Sequence, residues 1–161
     1  MQENADARNV TLLERARSTA LVLGTGAVVF CLDWVSKALW FRAENDLGRS
    51  AWALVRLTAH ANQGISFNLP LPLWIPIGLA AVIAISTVVV AAVHPRLPFS
   101  TILGLGLILG GAAGNGLDRL LLGFVRDWLL WFELSAINAA DIAIVAGFLL
   151  AWATYSKALK R

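Results

Sequence analysis

The chain has 161 residues, 58% of them hydrophobic and only 14% charged, with a formal net charge of +3. Its length predicts one domain spanning 1–161, and a charged fraction far below the soluble average of about a quarter excludes an ordinary soluble globule. With no basic cluster interleaved with aromatic residues, a nucleic-acid surface is excluded, and the single cysteine, Cys31, excludes an internal disulfide or a CxxC metal or redox motif.

In chain order, a polar segment with Arg8, Arg15 and Arg17 leads into a first apolar stretch, Ala20 to Phe41. That stretch has about the 20 residues a spanning helix needs. It is too long for a cleavable signal peptide and holds Asp33 and Lys37. Cys31 follows Phe30, where a lipidation box needs a small residue, so it reads as a small packed thiol. Asp33 and Lys37 are four apart and share a helix face, which predicts an ion pair with a structural role. The segment from Arg42 to Asn68 is too long for a plain connector. Within it, Trp52 to Thr58 favours a strand and Asn62-Gln-Gly64 a turn, predicting a small β element.

Three further apolar stretches follow, Leu69 to Val93, Pro98 to Leu117 and Ala139 to Ala158. The sequence thus predicts an all-α membrane protein of four transmembrane helices. The polar N-terminal segment, the His94-Pro-Arg96 loop and the Lys157, Lys160, Arg161 tail fall on one side, cytoplasmic by the positive-inside rule. Trp34, Trp40, Trp74, Trp128 and Trp131 then gather near the other face as an aromatic belt. Glycines 104, 106, 110, 111 and 114 predict close helix packing along the third span. The second outer segment, Leu120 to Asn138, reads as short and amphipathic.

Ionisable groups at membrane depth are costly and mark functional candidates. Six qualify: Asp33, Lys37, Asp118, Arg119, Asp127 and Asp141, all toward the outer ends of their spans or just beyond. Asp118 and Arg119 are sequence neighbours, so each needs a partner elsewhere, with Asn115 adding a polar group to the same helix end. Asp127 and Asp141 remain; no lysine or arginine is an evident dedicated partner for Asp141, and Asp127 follows Arg126 just before Trp128. Two carboxylates in a partly dry site share a proton, which supplies one base and one acid for hydrolysis. Spacing alone leaves this open against a proton- or ion-coupled transporter, in which buried carboxylates and glycine-rich helices are also ordinary. His60 and His94 fall on opposite sides of the membrane, no HExxH or GxSxG occurs, and neither a metal nor another cofactor is implied.

These residues fall into motifs that resemble the lipoprotein signal peptidase family, from Leu21 to Ala158. Asp33-Trp-Val-Ser-Lys37 is similar to the family's Asp-x-x-Ser/Thr-Lys, and Asn62-Gln-Gly64-Ile-Ser66-Phe67 to Asn-x-Gly-x-Ala-Phe. Gly111-Ala-Ala-Gly114-Asn115-Gly-Leu-Asp118-Arg119 matches Gly-x-x-Gly-Asn-x-x-Asp-Arg. Gly123-Phe-Val-Arg-Asp127-Trp128 is like Gly-x-Val-x-Asp-Phe, and Asn138-Ala-Ala-Asp141 like Asn-x-Ala-Asp. The resemblance implies a membrane aspartic endopeptidase that removes the signal peptide from bacterial prolipoproteins, cutting just before a diacylglyceryl-modified cysteine. It implies Asp127 and Asp141 as the catalytic pair, Asn62, Gly64, Asn115, Arg119 and Asn138 as site-shaping residues, and an extracytoplasmic β-cradle. Lipidated prolipoproteins and the phospholipid bilayer of the bacterial inner membrane are its implied partners, with no obligate protein partner. A non-catalytic lipopeptide-binding paralogue is the remaining alternative. The departures are Ser66, Trp128 and Ile137, and Arg126, whose position beside Asp127 predicts a lowered carboxylate pKa.

Overall fold

The computed structural model describes residues 2–41, 55–64, 71–94, 96–132 and 135–158. Ser66, Phe67, Trp52, the loop arginines Arg42 and Arg49, and the terminal Lys160 and Arg161 lie outside them. The elements are α1 (Gln2–Trp40), β1 (Val55–Asn62), α2 (Trp74–Val93), α3 (Phe99–Leu122), β2 (Val125–Trp131), β3 (Ser135–Ile137) and α4 (Ala139–Ala158). Among the described residues three helical segments are long and apolar enough to cross a membrane, Thr11–Trp40, Trp74–Val93 and Phe99–Leu122, with mean hydropathy 1.6, 2.5 and 1.3. In α4 the apolar run is Ala139–Thr154.

The helix boundaries differ from the apolar stretches for local reasons. α1 continues back through the polar N-terminal segment because Glu, Ala, Arg and Leu are strong helix formers, with no Pro or Gly to interrupt them. α2 starts at Trp74 and not Leu69, after Pro72, and places Pro76 in its first turn, where a missing N–H breaks no helical bond. α3 runs on past Leu117 to Leu122 and is closed by Gly123 at φ 81°, the left-handed conformation that glycine takes without strain.

α3 lies at the centre, packed against α1, α2 and α4. Its glycines make that possible. A Cβ at Gly110 would stand 2.6 Å from Val29 Cβ of α1, and one at Gly104 2.7 Å from the Gly147 carbonyl oxygen of α4. Such backbone approach is how helices gain dispersion contacts where lipid supplies no hydrophobic drive. Leucines, valines and phenylalanines on the outer faces, such as Leu32, Val82, Phe99 and Phe148, are exposed. Cys31 is exposed among them and is not the packed thiol that the sequence suggests.

The strands form one antiparallel sheet in the order β1-β2-β3. Only β1 comes from the segment where a β element is predicted, and β1 runs through Asn62 itself. β2 and β3 come from the second outer segment. Between Leu57 and His60 the register slips by one residue, a β-bulge that sets Thr58 and Ala59 against Trp128. Beyond it His60 faces Asp127 and Asn62 faces Val125.

Candidate active site

Strand alternation divides β2 into two faces. Val125 and Asp127 are buried and line a cavity of about 670 Å³ with Trp131, whereas Arg126 and Trp128 turn toward α1. The other walls of the cavity are Leu79 and Ile83 of α2, Ala112 and Asn115 of α3, and Ile144 and Val145 of α4. Its polar end holds Asn62, Asn115, Arg119, Asp127 and Asp141.

Asp141 sits in the first turn of α4, and Asn138 immediately precedes that helix. The Asp141 N–H donates to Asn138 Oδ1 at 3.0 Å, while the Asn138 N–H donates to Asp141 Oδ2 at 3.1 Å. This reciprocal pair satisfies two N–H groups at the helix start, as a capping box does. Asn138 also donates from Nδ2 to Asp127 Oδ1 at 2.6 Å and to Asn115 Oδ1 at 3.1 Å. Asn62 Nδ2 donates to Asp127 Oδ2 at 2.9 Å, its own Oδ1 being fixed by the Gly64 N–H at 3.0 Å. Asn115 Nδ2 donates to Asp141 Oδ1 at 2.8 Å. The two carboxylates therefore come from a strand and a helix and are tied to each other through amides.

Behind this pair lies a buried ionic cluster. Lys37 Nζ contacts Asp33 Oδ2 at 2.7 Å and Asp118 Oδ2 at 3.2 Å, and donates to Asn115 Oδ1 at 2.9 Å. Lys37, Asp33 and Asp118 are all fully buried. Asp33 Oδ1 also accepts the Ala140 N–H at 2.9 Å, which puts a carboxylate on the positive end of α4. The ion pair predicted from the four-residue spacing is present, and the fork of Asp118 reaches across elements as its sequence position requires. Arg119 Nη2 donates to the Gly64 carbonyl at 2.9 Å, which fastens α3 to the end of β1.

Arg126 does not act on Asp127 in the way adjacency suggests. Its guanidinium donates to Asp118 Oδ1 from Nη2 at 2.7 Å and from Nε at 3.2 Å, and lies 4.6 Å from the centre of the Trp34 ring. Its neighbour Trp128 stacks on Trp40. Successive strand residues point to opposite faces, so the cation is directed away from the dyad. Arg126→Gln should cost about 2 kcal/mol of stability, because Asp118 keeps Lys37 and one backbone N–H but loses the guanidinium. Thermal unfolding in detergent checks this, and the pH profile of activity should stay in place. Sequence reasoning also passes over His60, which the register sets directly across from Asp127 on the same sheet face.

Burial pushes the Asp127 carboxyl up from its ordinary 3.8 to about 7; the nearby Asp141 charge acts the same way, and hydrogen bonds from Asn62 and Asn138 pull it back in part. The site thus holds a proton near neutrality while retaining a second carboxylate beside it.

A family model described as Signal peptidase (SPase) II matches residues 25–156. The chain is 32% identical over 153 residues to a lipoprotein signal peptidase of Acaryochloris marina, covering 86% of this chain and 88% of that protein. Against one from Rhodopseudomonas palustris it is 35% identical over 142 residues, or 76% and 83% of the two chains. A solved bacterial membrane enzyme superposes on 84% of this chain and 87% of its own with a TM-score of 0.75 at 20% identity, a likeness of fold. The residues gathered in the sheet and helix ends, and the match across nearly the whole chain, agree: this chain belongs to the signal peptidase II family, whose members are aspartic peptidases of the membrane.

Proposed function

We propose that this chain removes the signal peptide from bacterial prolipoproteins, cutting just before a diacylglyceryl-modified cysteine, with Asp127 and Asp141 as the reacting carboxylates. The observation that carries this is their setting: two carboxylates from separate elements, joined through Asn138, at the polar end of a mainly apolar cavity. In this reading the ionised carboxylate takes a proton from water as the water attacks the scissile carbonyl. The protonated one donates to the developing oxyanion, and the leaving amine receives a proton as the C–N bond breaks. The apolar walls from α2 and α4 suit a signal peptide and its lipid. Arg119, Gly64 and Asn62 fix the edge strand along which a substrate backbone can lie.

Four crossings of the bacterial inner membrane, α4 being the fourth, put both termini in the cytoplasm and the dyad near the outer face. The support is the bias of basic residues toward the end bearing Arg15, Arg17 and Arg96. Cysteine introduced at Ala59 should react with an impermeant maleimide from outside and cysteine at Arg96 only from inside. The reverse labelling would overturn the orientation. For the activity, the purified protein is incubated with a diacylglyceryl prolipoprotein; release of the intact signal peptide is expected, and its absence would overturn the assignment.

The raised Asp127 carboxyl carries a sign for pH dependence. A pair needing one proton loses its active form as that proton leaves. kcat/KM should fall tenfold per pH unit above about 7, with apparent values that belong to the pair. The folded value lies above the unfolded one, so the same group withdraws stability as pH rises from 3.8 toward about 7. A flat kcat/KM through pH 9 would count against the assignment.

A further inference from the structure

At the end of the bundle away from the dyad, a second cavity of about 290 Å³ lies between α1 and the start of α3. Asp33 is 16 residues along α1 from Arg17, about 24 Å by helical rise. The α1 wall is Glu14, Arg17, Ser18 and Leu21, one helix face by spacing, and Arg96 and Phe99 stand opposite.

The polar side chains on this cavity are two arginines, one serine and one carboxylate. Ser18 is only 6% exposed and lines the cavity. Arg17 has no ion pair among the described residues, and Arg96 gives only its Nε to Glu14, at 3.1 Å. The single carboxylate present is thereby engaged, and the cavity keeps a net positive charge. α3, a helix of 24 residues, begins here after Pro98 with no side-chain cap on its first N–H groups, which puts its positive end at this side of the bundle.

We propose that this cavity binds the phosphate headgroup of an anionic phospholipid. Arg17 and Arg96 face the charge, and the Ser18 hydroxyl and the first N–H groups of α3 donate to the phosphate oxygens. The lipid, in preference to a free anion, follows from what flanks the cations: Leu21 and Phe99 are 39% and 72% exposed beside them, at the level where α1 becomes apolar. An acyl chain covers that surface and inorganic phosphate does not. The site is independent of the peptidase assignment and needs no particular leaflet.

The test uses the whole protein in nanodiscs of phosphatidylcholine, alone or mixed with phosphatidylglycerol, read by thermal unfolding and by native mass spectrometry of retained lipid. The wild type should melt higher with phosphatidylglycerol and retain it. Arg17→Gln should lower retention about fivefold, and the double variant with Arg96→Gln by more than tenfold. Ser18→Ala, which removes only the hydroxyl, should lower it a few-fold and checks the site even if the double variant folds poorly. Lipopeptide cleavage in detergent by all three should match the wild type. Equal retention by wild type and variants would overturn the site. Protection by soluble glycerol phosphate equal to that by the lipid would overturn the lipid and leave a free-anion site.

Discussion

Asp127→Asn, Asp141→Asn and the double variant should lose nearly the same activity, about 10³–10⁴-fold in kcat, with lipopeptide affinity kept within a few-fold. Each carboxylate supplies one half of a proton exchange, so removing either leaves the other without a task. Equal losses in single and double variants are the mark of groups that act as a unit. Asparagine preserves size and leaves no cavity, but it is not silent toward the fold. Both oxygens of Asp127 accept from asparagine amides, and both oxygens of Asp141 accept N–H groups. An introduced NH₂ faces a donor in either place, at a cost of about 1 kcal/mol. Activity is therefore compared with thermal unfolding of each variant. Substantial turnover by a folded single variant would remove the dyad from the mechanism.

Lys37→Met should lower stability by about 3–5 kcal/mol, the penalty for leaving buried charge without its partner. Asp33 and Asp118 both depend on this ammonium, and neither is reached by solvent. The loss should not stop at stability, because Lys37 also fixes Asn115 Oδ1 and so aims Asn115 Nδ2 at Asp141. Pairing Lys37→Met with Asp33→Asn should recover part of the stability but little of the activity. Asp33→Ala alone should reduce the yield of folded protein, since Asp33 both pairs with Lys37 and accepts the Ala140 N–H. The folded fraction should keep much of its activity. If Lys37→Met unfolds like the wild type, the cluster is not what holds this end of the bundle.

The helices and the Asp33–Lys37 pair were legible in the sequence because each obeys a local rule, whereas Asp127 and Asp141 stood out only through the family motifs. Apolar runs of spanning length mark the helices. Asp33 and Lys37 are paired by helical spacing, and Asn138-Ala-Ala-Asp141 has the spacing of a helix start. What was not legible depends on neighbours distant in the chain. β2 reads Val-Arg-Asp-Trp-Leu-Leu-Trp without clear alternation, because one face borders the cavity and the other packs on the aromatic residues of α1. The partner of Arg126 was hidden for the same reason. Adjacency to Asp127 suggested an electrostatic coupling, and only a strand assignment sends the guanidinium to the opposite face. The α2 wall of the cavity, Leu79 and Ile83, carries no signal of its own, since any lipid-facing leucine looks the same.

The bulge in β1 bears on which lengths of chain can diverge. Val55 to Leu57 and His60 to Asn62 both pair correctly with β2, and the surplus residue is confined to Thr58 and Ala59. Deleting one of those two converts a bulged ladder into a regular one and keeps Asn62 against Val125. The same deletion between His60 and Asn62 turns every later side chain to the other face and takes the Asn62 amide off Asp127. Length variation among relatives should therefore collect at Thr58 and Ala59 or before β1, and stop within the three residues that end the strand.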